Sequence, residues 1–243
     1  VILFNPASDA LRAMHRRTHW SRLIGAALEQ DDISLVVQPA FQISTRTPIH
    51  HEVLVRVPDE HGRWADARQF ISTAESLGLA PALDQRVVAR VLTHLHEQGT
   101  TSRQSCSVNL SAASIADAAW VRDLVDMVRT SGVPGNRLMF EVSENAAMSN
   151  IDAMTAFIDQ LRPLGTRFAL DDFGTGFSSF YYLKRFAVDC LKINGSFTQD
   201  IDGNAENQAF IKAVNSLAHG LNRQVIAKHV ETPLMLRHLK EAG

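Results

Sequence analysis

Arg167-Phe-Ala-Leu-Asp-Asp-Phe-Gly-Thr-Gly-Phe-Ser-Ser179 carries two adjacent carboxylates, Asp171 and Asp172, from an apolar strand-like run into a glycine-punctuated turn. Paired carboxylates in such a place suit divalent-cation or phosphate chemistry. Taken alone, the stretch reads equally well as a solvated turn after a buried strand. Repetition decides between the two, because other short apolar runs also end in residues able to ligate a metal or meet a phosphate. The runs at 34–37, 53–57, 106–110, 138–142, 168–170, 188–193 and 225–227 are strand candidates, and helical windows at 65–77, 81–98, 112–130, 151–161, 206–221 and 232–241 lie between most of them. Pro81 and Thr232-Pro233 supply helix starts. Short connections and this alternation predict a mostly parallel α/β sheet, and about seven strands in this length favour a TIM-like (β/α)8 barrel over a doubly wound sheet. The count falls one short, so the last β/α unit is expected to be lacking or truncated.

The chain's 243 residues, 45% hydrophobic and 21% charged, can bury a full core as one large domain. A net charge of −2 offers no general attraction for nucleic acid or acidic membranes, so an anionic ligand must be held locally. No apolar stretch approaches the roughly 20 residues of a membrane span. Cys106 and Cys190 both lie in apolar runs, which predicts packing thiols and a cytoplasmic setting. His50 and His51 sit at a strand start on opposite faces, so at most one enters the barrel, and both read as surface or packing residues. Trp20, Trp64 and Trp120 are scattered and read as core or interface residues.

Residues 1–30 read as a connecting helix from an upstream domain and 31–243 as the barrel. In the helix, Trp20, Leu23, Ile24, Ala27 and Leu28 form an apolar stripe, whereas Arg12, His15, Arg16, Arg17 and His19 make the first half polar and basic. His15 and His19 have i,i+4 spacing but lack the glutamate of a zinc-protease helix, so they read as a solvated face. The abrupt start without Met suggests a piece of a longer protein.

In a barrel of this kind the site forms at the C-terminal strand ends. Polar residues stand there on run after run: Glu52 and Arg56, Asn109, Glu141 and Glu144, Asp171 and Asp172, Lys192, and finally Lys228, His229 and Glu231. Glu52, Asn109, Glu141 and Asp171 offer hard oxygen ligands, the set expected for Mg²⁺ or Mn²⁺ rather than zinc. Arg56 and Lys192 suit phosphate, the first by its bidentate fork and the second as a point charge.

Val37-Gln-Pro39, Glu52-Val-Leu-Val-Arg56, Val108-Asn-Leu-Ser111, Phe140-Glu-Val-Ser-Glu144, Leu170 to Ser179, Leu191-Lys-Ile193 and Val225-Ile-Ala-Lys-His-Val-Glu-Thr232 resemble, in order and spacing, the signature of EAL domains, the cyclic di-GMP phosphodiesterases. The resemblance implies a first metal shell of Glu52, Asn109, Glu141 and Asp171, a second-ion ligand in Asp172, and a water-orienting Lys192. It gives Glu144 the task of holding the loop that contains Thr175, Gly176 and Ser178. Gln38, Pro39, Leu54, Arg56 and Asp84 match positions lining the dinucleotide groove, with Asp84 facing a guanine edge.

Three departures stand out. The namesake Glu-Ala-Leu is Glu52-Val53-Leu54, a mild change. Asn194 replaces the Asp of the family's Lys-Ile-Asp. Ala227-Lys-His-Val-Glu231 replaces Ala-Glu-Gly-Val-Glu, so Lys228 changes the local charge by two units at the metal pair. On that ground the sequence predicts a degenerate domain: a cyclic di-GMP receptor that is not an enzyme, with Lys192 and Glu231 vestigial and Lys228 joining the ligand-binding set. No metal is then required for binding, and Mg²⁺ or Mn²⁺ matters only for residual catalysis. The pattern is similar to degenerate EAL receptors of type IV pilus systems, which implies an upstream GGDEF-like domain and a PilZ-domain partner, without nucleic acid or membrane insertion. Two alternatives stand beside it: an active metal-dependent cyclic di-GMP phosphodiesterase, in which Glu231 compensates for Lys228, and a nucleotide-independent interaction scaffold.

Overall fold

A computed structural model describes residues 6–99, 102, 104–176 and 180–243, of which 6–9 and 180–182 are described by backbone only. Val1 to Phe4 and Ser178 fall outside the described residues. The first helix, α1 (Pro6–Glu29), is amphipathic only in its second half: Trp20, Leu23, Ile24 and Ala27 are buried while residues 10–18 are exposed.

β1 (Ser34–Phe41) and β2 (Pro48–Pro58) form an antiparallel hairpin with Gln38 opposite Glu52. The expectation of parallel pairing fails at this first strand, because a connection as short as 42–47 can join only antiparallel neighbours. Its turn closes with Arg46 in the left-handed region at φ 57° and donating to the Gln42 carbonyl. A second tight turn follows, with Asp59 Oδ1 accepting from the His61 and Arg63 amides, and it folds β3 (Trp64–Asp66) back onto β2. That strand takes the start of the expected 65–77 helix, so α2 covers Ala67–Ser76.

The remaining chain alternates as expected. It runs α3 (Ala80–Glu97), β4 (Cys106–Asn109), α4 (Ala112–Ala116), α5 (Ala118–Thr130), β5 (Leu138–Ser143), α6 (Glu144–Ser149), α7 (Ile151–Leu161), β6 (Arg167–Phe173), α8 (Phe180–Arg185), β7 (Cys190–Ile193), α9 (Gly195–Gln199), α10 (Ala205–Gly220), β8 (Gln224–Ala227) and α11 (Pro233–Glu241). Asp117 divides the 112–130 window: its carboxylate accepts from the Ala119 and Trp120 amides, making it the N-cap of α5. Glu144, expected at a strand end, opens α6 instead, behind the Ser143 cap.

The sheet runs β1-β2-β4-β5-β6-β7-β8, parallel from β2 onward, with β3 on the outer part of β2, and it curls as a TIM-like barrel. Alternation along the strands separates two layers. Phe140, Phe168 and Leu191 face the helices, where Phe140, Phe157 and Phe168 meet with ring centroids 5.6–6.2 Å apart. Met139, Ala169 and Cys190 face inward and form an apolar floor with Ile226. Burial raises the Cys106 and Cys190 thiols to about 11 and about 12, so both are packing residues. Trp20 and Trp120 are buried and Trp64 is exposed. Among the described residues no helix is long and apolar enough to cross a membrane.

Candidate functional site

Two residues beyond each floor position, on the same strand face, stands a charged one: Met139 leads to Glu141, Ala169 to Asp171, Cys190 to Lys192 and Ile226 to Lys228. The same step on β2 leads from His50 to Glu52. Period-two alternation therefore lifts a ring of charge above an apolar base at the C-terminal end of the barrel.

At its centre is Lys192, 2% exposed, whose Nζ donates to Glu52 Oε2 at 2.7 Å and to Glu141 Oε2. Asn109 Nδ2 donates to Glu52 Oε1 at 3.0 Å. Burial raises Glu141 to about 7 against the opposing pull of Lys192, and its Oε1 is buried without a hydrogen bond. Burial also acts against ionisation of Glu52, but Lys192 and Asn109 outweigh it and hold that carboxyl below its ordinary range. Glu141, Asp171 and Glu52 keep Lys192 protonated despite its burial. Below the ring His50 is buried, and burial with nearby Lys192 lowers it to about 4, so it is a neutral packing residue.

The second cluster depends on a backbone irregularity. Adjacent strand residues normally point to opposite faces, yet Asp171 and Asp172 share one partner. Lys228 Nζ lies 2.7 Å from Asp171 Oδ1 and 2.6 Å from Asp172 Oδ1. A register shift between Leu170 and Phe173, with Asp172 in the left-handed region at φ 53°, turns both carboxylates inward. Asn194 Nδ2 adds a bond of 2.9 Å to Asp172 Oδ1. Burial acts to raise Asp172, but Lys228 and Asn194 prevail and lower it. Glu144, buried at the start of α6, holds the following loop: its Oε2 accepts from Gly174 N at 2.9 Å and Gly176 N at 3.2 Å.

The structure thus brings together Glu52, Asn109, Glu141, Asp171, Asp172, Lys192 and Lys228. Others lie apart from the ring. Gln38 and Pro39 are exposed on β1, and Leu54 is half-buried on β2. Arg56 pairs with Asp66 at 2.6 Å. Glu231 is exposed beyond β8, and the partners of Lys228 are the two aspartates. Asp84 is buried in α3, with Oδ2 accepting from Ser111 N at 2.8 Å and Ser114 Oγ at 2.6 Å. Ser114 and the packing of His229 against Gly195 escaped the sequence reading, since neither has a local signature; a Cβ at Gly195 would stand 2.1 Å from His229 Cδ2.

Burial raises Asp84 to about 6. The folded chain therefore holds this proton more tightly than the unfolded chain, whose pKa is near 3.9, and stability falls as pH rises from about 4 to 6. Asp84→Asn, which keeps an acceptor for Ser111, is expected to gain about 2–3 kcal/mol on the native chain between pH 4 and pH 7. Urea midpoints at both pH values measure this, and a constant difference would refute it.

As arranged, no three carboxylate, histidine or cysteine side chains among the described residues stand close enough to hold a metal. The donor set of Glu52, Asn109, Glu141 and Asp171 nevertheless fits one hard cation, and the unbonded, buried Glu141 Oε1 is an oxygen suited to it. The Lys228 ammonium stands between Asp171 and Asp172.

The family model described as EAL domain matches residues 22–243. The cyclic di-GMP phosphodiesterase PdeB of Shewanella oneidensis is 30% identical over 99% of this chain, and the cyclic di-GMP phosphodiesterase NbdA of Pseudomonas aeruginosa is 34% identical over 88%. The chain spans 28% of the length of each of these two relatives. The structure of the FimX EAL domain from Pseudomonas aeruginosa bound to c-di-GMP superposes with a TM-score of 0.84 at 28% identity, covering 92% of this chain and 90% of that one. The relatives named as phosphodiesterases overturn the expectation of a non-enzyme.

Proposed function

Because this chain belongs to the EAL domain family, we propose that it binds cyclic di-GMP at the C-terminal face of the barrel and hydrolyses it in a metal-dependent reaction. The observation that carries this reading is the convergence of Glu52, Asn109, Glu141 and Asp171 around the buried Lys192. The relatives support it, since two enzymes named for this activity align with nearly all of the chain. Glu52, Asn109, Glu141 and Asp171 would hold one Mg²⁺ or Mn²⁺, which supplies positive charge at the phosphate under attack.

The chain's own groups do the rest. Lys192, fixed between two carboxylates, orients the attacking water from a charged and immobile donor. Lys228 places a second positive charge beside Asp171 and Asp172, where a phosphate oxygen gathers negative charge in the transition state. Gln38, Pro39, Leu54 and Arg56 line the groove, and Arg56 reaches a phosphate by exchanging Asp66 for it; Asp84, expected at a guanine edge, is buried and holds Ser111 and Ser114 instead. Residues 1–30 connect the barrel to an upstream GGDEF-like domain in a cytoplasmic protein. The FimX EAL domain bound to c-di-GMP supports the nucleotide-binding part of this reading; a signalling output through a PilZ-domain protein in type IV pilus control is proposed from the motif resemblance alone.

Incubation of the protein with cyclic di-GMP and Mn²⁺, followed by chromatography, is expected to yield the linear dinucleotide. EDTA should stop the reaction, and Glu52→Gln should slow it by on the order of a hundredfold or more. Intact cyclic dinucleotide after hours in saturating Mn²⁺ would sink the proposal.

A further inference from the structure

Lys228 and Asn194, two of the residues that depart from the family pattern, meet at one carboxylate cluster, and a third, His229, packs beside it against Gly195. We propose that the Lys228 ammonium is a built-in cation that takes the place of a second divalent ion, so that the chain binds one Mg²⁺ or Mn²⁺ rather than two. The inference rests on the phosphodiesterase reading for the identity of the site, but it concerns ion count and not turnover.

Three observations fix Lys228 in this role. Its Nζ touches both aspartates, at 2.7 and 2.6 Å, with the side chain only 21% exposed. Asn194 is turned to match: as N-cap of α9 its Oδ1 accepts from Ser196 N at 2.9 Å, so its NH₂ must face outward, and it donates to Asp172 Oδ1. Asp172 Oδ1 thus receives an ammonium and an amide together, so this oxygen is already taken by donors of the chain itself. An aspartate at position 194 could offer no such donor and would face Asp172 as a like charge. Finally, the turn that aims Lys228 inward is braced by its neighbour, since His229 sits at φ 57° with its ring against Gly195, where a side chain would collide. Any residue other than glycine at 195 would push this turn away.

Charge points to the same count. Glu52, Glu141, Asp171 and Asp172 carry four negative charges when ionised, and Lys192 and Lys228 return two positive ones. One divalent ion neutralises the remaining two. A second would stand within a few ångströms of a fixed ammonium, a repulsion large enough to weaken binding by on the order of a hundredfold or more.

Mn²⁺ counting by native mass spectrometry and by electron paramagnetic resonance of free Mn²⁺ tests this. The native chain is expected to saturate at one Mn²⁺ and Lys228→Glu at two, the second ion binding at least about tenfold tighter than any second ion to the native chain. Lys228→Ala, which adds no bulk, serves if the glutamate variant does not fold and should also gain a second ion. Two Mn²⁺ on the native chain would overturn the proposal, as would one ion on every variant, because Lys228 would then not be what excludes the second. No bound Mn²⁺ would overturn the count as well, and if cyclic di-GMP also fails to bind, the phosphodiesterase reading falls with it.

Discussion

Lys192→Met is expected to destabilise the domain by about 3–5 kcal/mol, the loss typical of removing one partner from a buried ion pair. Lys192 is 2% exposed and Glu141 is fully buried, so water cannot replace the ammonium. Glu141 would be left with one oxygen already lacking a hydrogen bond and the other newly without its donor, and Glu52 would keep only Asn109 on its other oxygen. Protonation of Glu141, already raised by burial, relieves part of the cost, so the loss should be smaller at pH 5 than at pH 8. Lys192→Met/Glu141→Gln leaves no uncompensated charge at 141 and should recover part of the stability, a coupling visible in a double-mutant cycle. Urea denaturation of the four proteins measures all of this. A single-variant loss below about 1 kcal/mol would mean that the pair is not desolvated as the structure places it. Hydrolysis should vanish in both Lys192 variants, because methionine neither orients a water nor carries charge.

Much of this site was legible because the barrel translates sequence position into place. A polar residue two positions past an inward apolar one must stand in the ring, and Glu141, Asp171, Lys192 and Lys228 obey that rule. The helix windows were equally readable where periodicity ran long, as in α3 and α10. What failed to show were features set by single residues or by contact across the fold. The antiparallel first hairpin followed from loop length, which was visible and went unused. The short strand β3 replaced a helix start because Asp59 organises a turn that apolar periodicity does not record. Asp117 split a helix by capping, and α6 and α9 were too short for a period to register.

The expectation that Lys228 removes catalysis had a related origin. Sequence gives the sign of a charge and the strand end it occupies, and from those a lysine beside a metal pair reads as damage. The fold adds that the same ammonium lies against two carboxylates, with Asn194 turned to help it. In that geometry the lysine compensates the cluster instead of opposing it, which is compatible with relatives named as enzymes. A substitution that looks disabling in one dimension is matched by a second one 34 residues earlier, and only the contact at Asp172 links them.

Glu144→Ala is expected to lower hydrolysis by on the order of a hundredfold while costing about 1–3 kcal/mol of stability. The carboxylate positions the ring through the backbone. Glu144 Oε2 takes the amides of Gly174 and Gly176, and Thr175 Oγ1 bonds the Asp172 carbonyl at 2.9 Å, so the loop is tied down on the residue that must keep φ 53°. A left-handed non-glycine residue persists only while its surroundings impose it. Gly174 is likewise confined, with no room for a Cβ: one would stand 2.5 Å from Phe210 and 2.8 Å from Phe197, whose stacked rings support the turn from below. Releasing the Glu144 end should let Asp172 relax toward ordinary strand geometry, swinging its carboxylate away from Lys228. Glu144→Gln keeps a carbonyl oxygen in place and should retain most of the activity, which separates positioning from charge. The discriminating readout is kcat per folded molecule, with the folded fraction taken from circular dichroism: a loosened ring lowers it, whereas general unfolding lowers only the amount of active protein. Equal loss in the alanine and glutamine variants would refute the positioning role and assign the effect to the negative charge itself.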